Sequence, residues 1–166
     1  MVKFERTPGG SLPSTLRTIS RFIVEGSRNP MVLDASTRIV GGLPDQFEVS
    51  PTTRDLAEIS AIHAWVIRHI RYTKDVLGEE TVRDAEAVLR TRQGDCDCHA
   101  VLTGSLLRSI GIPVMIWLSG TDHPSHIYLA AKNGKGWIAV DTTLKIQGVG
   151  AVTRHKRHWK VENVLG

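Results

Sequence analysis

The sequence predicts one α+β domain in which helices come first and an antiparallel sheet follows. Apolar residues recur every three or four positions as far as Gly111 and every second position beyond it. A run of helices followed by a run of strands is typical of α+β architecture. The 166 residues, of which 41% are hydrophobic, suffice for one compact core and are too few to favour two domains.

Two helices are predicted in the first part of the chain, residues 1–52. The first begins after a Ser11 cap and stops at Gly26, with four apolar residues at helical spacing between them. The second begins with Asn29 as cap and Pro30 at the first helical position, and a glycine pair at 41–42 ends it. We interpret this part as a helical extension that frames a site.

The next part, residues 53–148, is predicted to be the core of the domain. A long helix over Thr53–Tyr72 and a short one over Asp84–Arg90 precede a helix that begins at or beside Cys96. Asp95 is a good cap for that helix, and Gly111 followed by a proline ends it. Strands are predicted over 112–120, over 125–143 as a hairpin turning at 132–136, and over 148–152.

Charge and composition exclude several classes of protein. The net charge of +4 and the pI near 9.3 reflect 21 basic against 17 acidic residues, a mild excess that does not indicate nucleic acid. Much of the excess lies in the basic C-terminal segment, residues 149–166, which we expect to form a solvated terminal face. No run approaches the roughly 20 apolar residues of a membrane span, and no secretory signal is recognisable. We therefore expect a cytoplasmic protein without a membrane partner.

The two cysteines, Cys96 and Cys98, are separated by one residue, which makes a disulfide between them geometrically poor. Free thiols favour a reducing compartment. Cys96 lies in the first turn of a predicted helix, where unpaired backbone N–H groups and the helix dipole favour a negative charge. The position predicts a nucleophile with a lowered pKa, and the same N–H groups would stabilise the oxyanion of a tetrahedral intermediate.

A thiol nucleophile needs a base, and the base needs a group that orients it. His126 opens one predicted strand, and Asp141 ends the strand joined to it by the Asn133-Gly134 turn. Both lie about equally far from that turn, so we expect them nearly opposite each other in an antiparallel pair. The spacing predicts an imidazole and a carboxylate side by side, facing the start of the Cys96 helix.

The stretches "GDCDCHAVLTGSLLRSIGIPV", "SHIYLAA" and "GWIAVDTT" resemble the transglutaminase-like superfamily. The resemblance covers about Leu56 to Thr143 and implies a papain-like fold, with the nucleophile helix packed on an antiparallel sheet. The residues that match the family pattern in order are Cys96, Ala100, Arg108, Gly111, Ile112, Pro113, His126, Trp137 and Asp141.

The resemblance also implies a Cys-His-Asp triad in which Cys96 attacks an amide or peptide carbonyl and forms a thioester. His126 would transfer the proton and Asp141 would orient the ring. A peptide or protein is the implied substrate, and no cofactor or metal is expected. Short proteins of this kind resemble those of tailed phages and prophages, which implies a virion or prophage protein as a further partner and association with the virion.

Two other interpretations of the cysteines remain open. A Cys-X-Cys-His run together with His123 or His126 has the ligand types of a zinc site, although Cys-X-Cys at a helix start does not easily direct both sulfurs to one ion. The chain would alternatively be an inactive structural protein that keeps the fold. We take Cys98 as a bystander, and Gln93 or Trp117 as additional support for the oxyanion.

Overall fold

The structure is a computed structural model that describes residues 4–7, 11–44, 50–75, 80–134, 136–145 and 147–161. Its helices are α1 (Leu12–Gly26), α2 (Pro30–Gly41), α3 (Pro51–His69), α4 (Ala85–Thr91) and α5 (Cys96–Ser109). Its strands are β1 (Phe4–Thr7), β2 (Arg71–Tyr72), β3 (Glu80–Arg83), β4 (Gln93–Gly94), β5 (Val114–Gly120), β6 (Pro124–Lys132), β7 (Trp137–Val140) and β8 (Arg157–Lys160).

The main sheet has four antiparallel strands in the order β7-β6-β5-β8. Two smaller pairs lie outside it: β1 pairs with β3 antiparallel, and β2 pairs with β4 in parallel. The α+β class with an antiparallel sheet, predicted from the change of period, is therefore confirmed.

Helix α5 lies at the centre of the fold. It packs against α1, α2, α3 and α4, and against β6 of the main sheet. Eleven of its residues are buried, among them Leu102 and Leu106 with no exposed surface. A helix buried on nearly all sides cannot shift without disturbing the core, so the residue at its N-terminus has a fixed position.

Helix α1 crosses α5 at very short range because glycines face the crossing. A Cβ placed on Gly26 would collide with the Ser105 hydroxyl and approach the Ser105 Cβ to 2.9 Å. One placed on Gly104 would approach Ile23 Cδ1 to 2.9 Å. The C-terminal half of α1 is thereby held firmly on α5.

The predicted helices and hairpin are present, with some differences at their ends. Helix α3 was expected to reach Tyr72 but ends at His69, because Ile70 adopts an extended backbone and Tyr72 joins β2. The hairpin turns at 132–136 as predicted, with Gly134 at a φ of +73°. The strand predicted over 148–152 is wrong: this stretch forms a turn at Gly150, where φ is +91°.

The basic C-terminal segment contributes a strand that the sequence did not predict. Residues Arg157–Lys160 form β8, which pairs with Trp117–Gly120 of β5. Arg157 and Lys160 are exposed, in keeping with the expected solvated face, whereas His158 and Trp159 are half-buried. The segment is therefore part of the main sheet. No helix of the described ranges combines the length and apolarity needed to cross a bilayer.

Candidate active site

The position of Cys96 is fixed by the chain just before it. Arg92 ends α4 in a left-handed conformation, with φ of 56°. Strand β4, which follows Arg92, is held by its parallel pairing with β2. The Arg71 N–H donates a hydrogen bond to the Arg92 carbonyl at 2.9 Å. Asp95 caps α5 by accepting a hydrogen bond from the Cys98 N–H at 3.1 Å. Cys96 is thus the first residue of α5, as predicted.

Cys96 and His126 line one pocket of about 140 Å³. Helix α5 contributes the thiol and the adjacent Asp97, and β6 contributes the imidazole. The first half of α1 forms the opposite wall. The remaining lining residues are Leu12, Thr15, Leu16, Ile19, Leu118, Pro124, Ser125 and Ile127.

His126 and Asp141 form a close pair, with 2.7 Å between His126 Nε2 and Asp141 Oδ2. The β6–β7 register pairs Leu129 with Val140, so Asp141 is a diagonal neighbour of His126, offset by two residues from the position across the pair, where the two were expected nearly opposite each other. The hydrogen bond between the two side chains spans this offset of two residues. Because Nε2 faces the carboxylate, Nδ1 is the ring nitrogen that Asp141 leaves free.

Asp141 is 2% exposed and well supplied with donors. Its Oδ1 accepts hydrogen bonds from the Thr143 N–H at 3.0 Å and the Thr143 hydroxyl at 2.7 Å. Burial alone would raise the pKa of Asp141, but the hydrogen bond and charge of His126, together with the Thr143 bonds, outweigh it and lower the pKa. Asp141 is therefore a carboxylate at neutral pH.

The pKa of Cys96 shifts in the direction opposite to the expected one. Burial raises it, and the neighbouring carboxylates of Asp97 and Asp95 add to the increase. A hydrogen bond from the Ile127 N–H to the sulfur acts the other way but is outweighed. The resting sulfur is therefore a protonated thiol, and ionising it requires a base.

Cys98 is directed away from this pocket. It is 1% exposed, and its Sγ lies 3.7 Å from the Thr81 carbonyl. No three His, Cys, Asp or Glu side chains in the described part of the chain stand close enough together to hold a metal ion. The zinc interpretation therefore lacks a set of ligands among these residues.

The two residues considered for oxyanion support lie outside the lining of this pocket. The amide oxygen of Gln93 accepts a hydrogen bond from Arg71 at 2.8 Å. Trp117 stacks on Tyr128, and its buried Nε1 has no partner among the described residues. Neither residue lines the pocket that Cys96 and His126 share.

Tyr72, expected at the end of a helix, lies in β2 instead, and its ring centroid is 5.8 Å from that of His99 on α5. Burial raises its pKa to about 12, and the negative charges of Asp95, Asp97 and Asp141 add to this. The phenol therefore stays protonated at neutral pH and is available as a hydrogen-bond donor. Its position could not be foreseen, because helical periodicity extended α3 through it.

Two buried histidines, His63 and His99, hold the segment that carries Asp141 in place. The Nε2 of His63 lies 3.2 Å from the backbone carbonyl of Asp141. The Nδ1 of His99 lies 3.1 Å from the Thr142 hydroxyl, which is also 3.3 Å from that of Thr103. These bonds tie α3 and α5 to the end of β7, so Asp141 is held by the backbone as well as by its own side chain.

We expect His99 to make the fold sensitive to acid. Burial lowers the pKa of His99 from 6.5 to about 4, so the folded state favours the neutral ring. Stability is complete above pH 6.5 and falls as the pH drops towards 4, by about 3 kcal/mol from this group. In His99→Asn, which retains a donor near Nδ1, the free energy of unfolding should depend less on pH. Denaturant titrations from pH 4 to 7 measure this. His123→Asn, at an exposed position, is the control, and equal slopes in all three proteins would contradict the assignment.

The C-terminal segment reaches the other side of His126. The ring of His155 meets that of His126 edge-on, with centroids 6.2 Å apart. His155 Nδ1 lies 2.9 Å from the buried Ser119 hydroxyl, and His158 Nδ1 lies 3.0 Å from the Tyr128 hydroxyl. The segment after β7 therefore helps to enclose the imidazole.

Comparison with known proteins gives one family and several structures of similar fold. Residues 44–142, more than half of the chain, match the family model of the Transglutaminase-like superfamily. No curated protein matches the chain.

Two solved structures share the fold at low sequence identity. A candidate cysteine protease from Cytophaga hutchinsonii is 19% identical, with a TM-score of 0.53 over 76% of this chain and 42% of its own. A candidate protease from Parabacteroides distasonis is 14% identical, with a TM-score of 0.58 over 76% of this chain and 26% of its own. The present chain thus spans less than half the length of either protein.

Proposed function

Since the chain belongs to the transglutaminase-like superfamily, we propose that it is a thiol enzyme in which Cys96, His126 and Asp141 act as a catalytic triad. The observation that supports this most strongly is the 2.7 Å bond between His126 and Asp141, together with the pocket that His126 shares with the thiol. The substrate is an amide or peptide bond, and the intermediate is a thioester.

The proposed reaction begins with a neutral imidazole. Asp141 accepts a hydrogen bond from the Nε2–H of His126, which leaves the lone pair of Nδ1 free to take the proton of the Cys96 thiol. Because burial and nearby carboxylates disfavour a resting thiolate, this transfer accompanies the attack of sulfur on the carbonyl carbon. His126 then gives the proton to the leaving amine, and the carbonyl carbon remains bound to sulfur.

The second half of the reaction releases the acyl group. Water or an amine attacks the thioester carbonyl, His126 takes a proton from the attacking atom, and the carbon–sulfur bond breaks. The proton passes to the sulfur, which restores the thiol. Water as the acceptor gives hydrolysis and an amine gives transamidation.

The experiment that tests the proposal compares the wild type with Cys96→Ala. Each is incubated with glutamine-containing peptides and with cell-wall peptides, with and without an added primary amine, and products are followed by mass spectrometry. Ammonia loss with amine incorporation identifies an acyltransferase, deamidation an amidase, and chain cleavage a peptidase. If the wild type forms neither a product nor a thioester adduct with any of these peptides, the proposal that they are substrates fails. The inactive structural protein is then favoured.

We propose Tyr72 as a donor to the oxyanion, together with the backbone N–H of Cys96. The phenol is protonated at neutral pH, and its ring packs 5.8 Å from that of His99, three residues along α5 from Cys96. Tyr72→Phe should lower kcat by about 100-fold, the effect of losing one such donor, with little change in KM. Steady-state kinetics on whichever peptide is turned over measures this. A change in KM alone would assign Tyr72 to substrate binding instead.

The inactive structural protein is the second candidate, and the burial of Cys96 beside two carboxylates favours it. Phage or prophage origin and a virion partner remain proposals that rest on the resemblance alone.

A further inference from the structure

A groove of about 650 Å³ lies between α2 and α3, separate from the proposed catalytic pocket. The two cavities have no lining residue in common. The walls of the α2–α3 groove come from residues 31–39 and 61–69, and Leu89 and Arg92 complete the lining. Each wall runs for about 12 Å, at 1.5 Å per helical residue. The groove is therefore elongated, and its volume is typical of a ligand-binding site.

The α2–α3 groove combines an apolar floor with a charged rim. Its half-buried or buried lining side chains are all apolar: Met31, Ala35, Ile39, Ala61, Ala64, Trp65 and Leu89. Its exposed lining side chains are all ionisable: Asp34, Arg38, Arg68, His69 and Arg92. A ligand that covers both kinds of surface must itself carry apolar and charged groups.

The charge of the rim favours an anionic ligand. Asp34 is the only carboxylate among the described lining residues, and it pairs with Arg38 at 3.1 Å. Within the described part of the chain, neither Arg68 nor Arg92 forms an ion pair with a carboxylate. Two guanidinium groups are therefore left at the rim, and guanidinium matches a carboxylate in shape and charge.

Arg92 and Trp65 join the rim to the floor. The guanidinium of Arg92 lies over the Trp65 ring, 5.1 Å from its centroid. Of the described residues other than glycine, Arg92 alone has a positive φ, of 56°, where glycine or asparagine is the usual helix end. The backbone therefore does not explain why this residue is an arginine. Tryptophan and arginine are the residue types that contribute most to binding at protein interfaces.

We propose that the α2–α3 groove binds a peptide segment of a partner protein in which a large apolar side chain is flanked by glutamates or aspartates. The apolar side chain contacts Ala61, Ala64 and Trp65, and the flanking carboxylates pair with Arg68 and Arg92. Charge complementarity selects the acidic segment, and the apolar floor distinguishes it from a free anion. This binding does not require any reaction at Cys96.

Synthetic peptides test the proposal without knowledge of the partner. The probes are short fluorescein-labelled peptides that combine glutamates with leucine or phenylalanine in varied order, and fluorescence anisotropy at about 0.15 M salt measures their affinity. We expect acidic, apolar peptides to bind about tenfold or more tightly than counterparts with glutamine for glutamate or alanine for the apolar residues. Arg68→Gln should weaken this binding about fivefold. Arg68→Gln combined with Arg92→Gln should weaken it about tenfold or more.

A matched control separates the groove from the overall positive charge. Arg154→Gln combined with Lys156→Gln removes the same charge from exposed positions of the C-terminal segment and should leave the affinity unchanged. If the Arg68 and Arg92 pair of substitutions prevents folding, the exposed Arg68→Gln alone still tests the rim. A benzophenone on the peptide should then form photo-cross-links to α2 or α3, mapped by mass spectrometry.

Several results would overturn the proposal. The first is that no acidic, apolar peptide binds, and the second is that the glutamine or alanine counterparts bind equally well. Equal weakening by the control pair would indicate a non-specific effect of charge, and cross-links outside α2 and α3 would place the peptide elsewhere. Cys96→Ala should bind the peptides as the wild type does, so that docking is measured apart from the proposed catalysis. A loss of binding in Cys96→Ala would assign the peptides to the catalytic pocket instead.

Discussion

Replacing Cys96 with alanine is expected to lower turnover by about 10⁶-fold, because a thiol enzyme without its nucleophile forms no thioester. Water would then have to attack the carbonyl directly, helped only by the pocket and the oxyanion donors. The loss is measured as kcat on an identified peptide substrate and as the absence of a covalent adduct in intact mass spectra.

Cys98→Ala is the matched control for this experiment, since it removes the same chemical group two residues away. Cys98 is buried and its sulfur faces the Thr81 carbonyl, outside the pocket. We expect full acylation of Cys98→Ala and a loss of about 1 kcal/mol in unfolding free energy. An adduct that disappears in Cys98→Ala and persists in Cys96→Ala would contradict the assignment of the nucleophile.

Asp141→Asn is expected to lower kcat by about 10⁴-fold although it preserves the shape of the side chain. Both the N–H and the hydroxyl of Thr143 donate to Oδ1, so the single carbonyl oxygen of an asparagine would face Thr143. Its NH₂ group would then face Nε2 of His126. That nitrogen would become an acceptor, Nδ1 would carry the proton, and the ring could not take the proton of Cys96.

Thr143→Val tests the origin of this effect. Alone, Thr143→Val should lower kcat by about tenfold or less, since Asp141 keeps its charge and its hydrogen bond to His126. Combined with Asp141→Asn it removes one of the two donors that hold the asparagine oxygen, while the backbone N–H of residue 143 remains, so a small part of the activity should recover. Loss of less than tenfold in Asp141→Asn itself would remove Asp141 from the catalytic residues.

The parts of the fold that were predicted correctly have local causes. Helix α5 has a capping aspartate at one end and a glycine and proline at the other, so its start at Cys96 follows from about twenty residues of sequence. The β6–β7 hairpin depends on Asn133-Gly134, which favours a tight turn. His126 and Asp141 flank that turn, and their proximity was therefore predictable even though the register was not.

The parts that were missed depend on contacts between distant segments. Strand β8 has a basic, exposed composition, and only its pairing with β5, about forty residues earlier, makes it a strand. Tyr72 continues the apolar pattern of α3, and only the pairing of β2 with β4 removes it from the helix. The direction of the Cys96 pKa shift depends on burial by α1 and β6, which outweighs the local effect of the helix dipole on which the prediction was based.

The two ends of α1 have different roles. This division indicates how such a domain acquires a new substrate preference without a change of fold. The last turns of α1 pack closely on α5, since a side chain added at Gly26 would collide with Ser105 and one added at Gly104 would collide with Ile23. Its first turn borders the pocket with Leu12, which is 42% exposed, and with Leu16. Leu16 also packs against the core, so substitutions at the exposed Leu12 would disturb the scaffold least and, under the proposed function, would be the first to alter which acyl group is accepted.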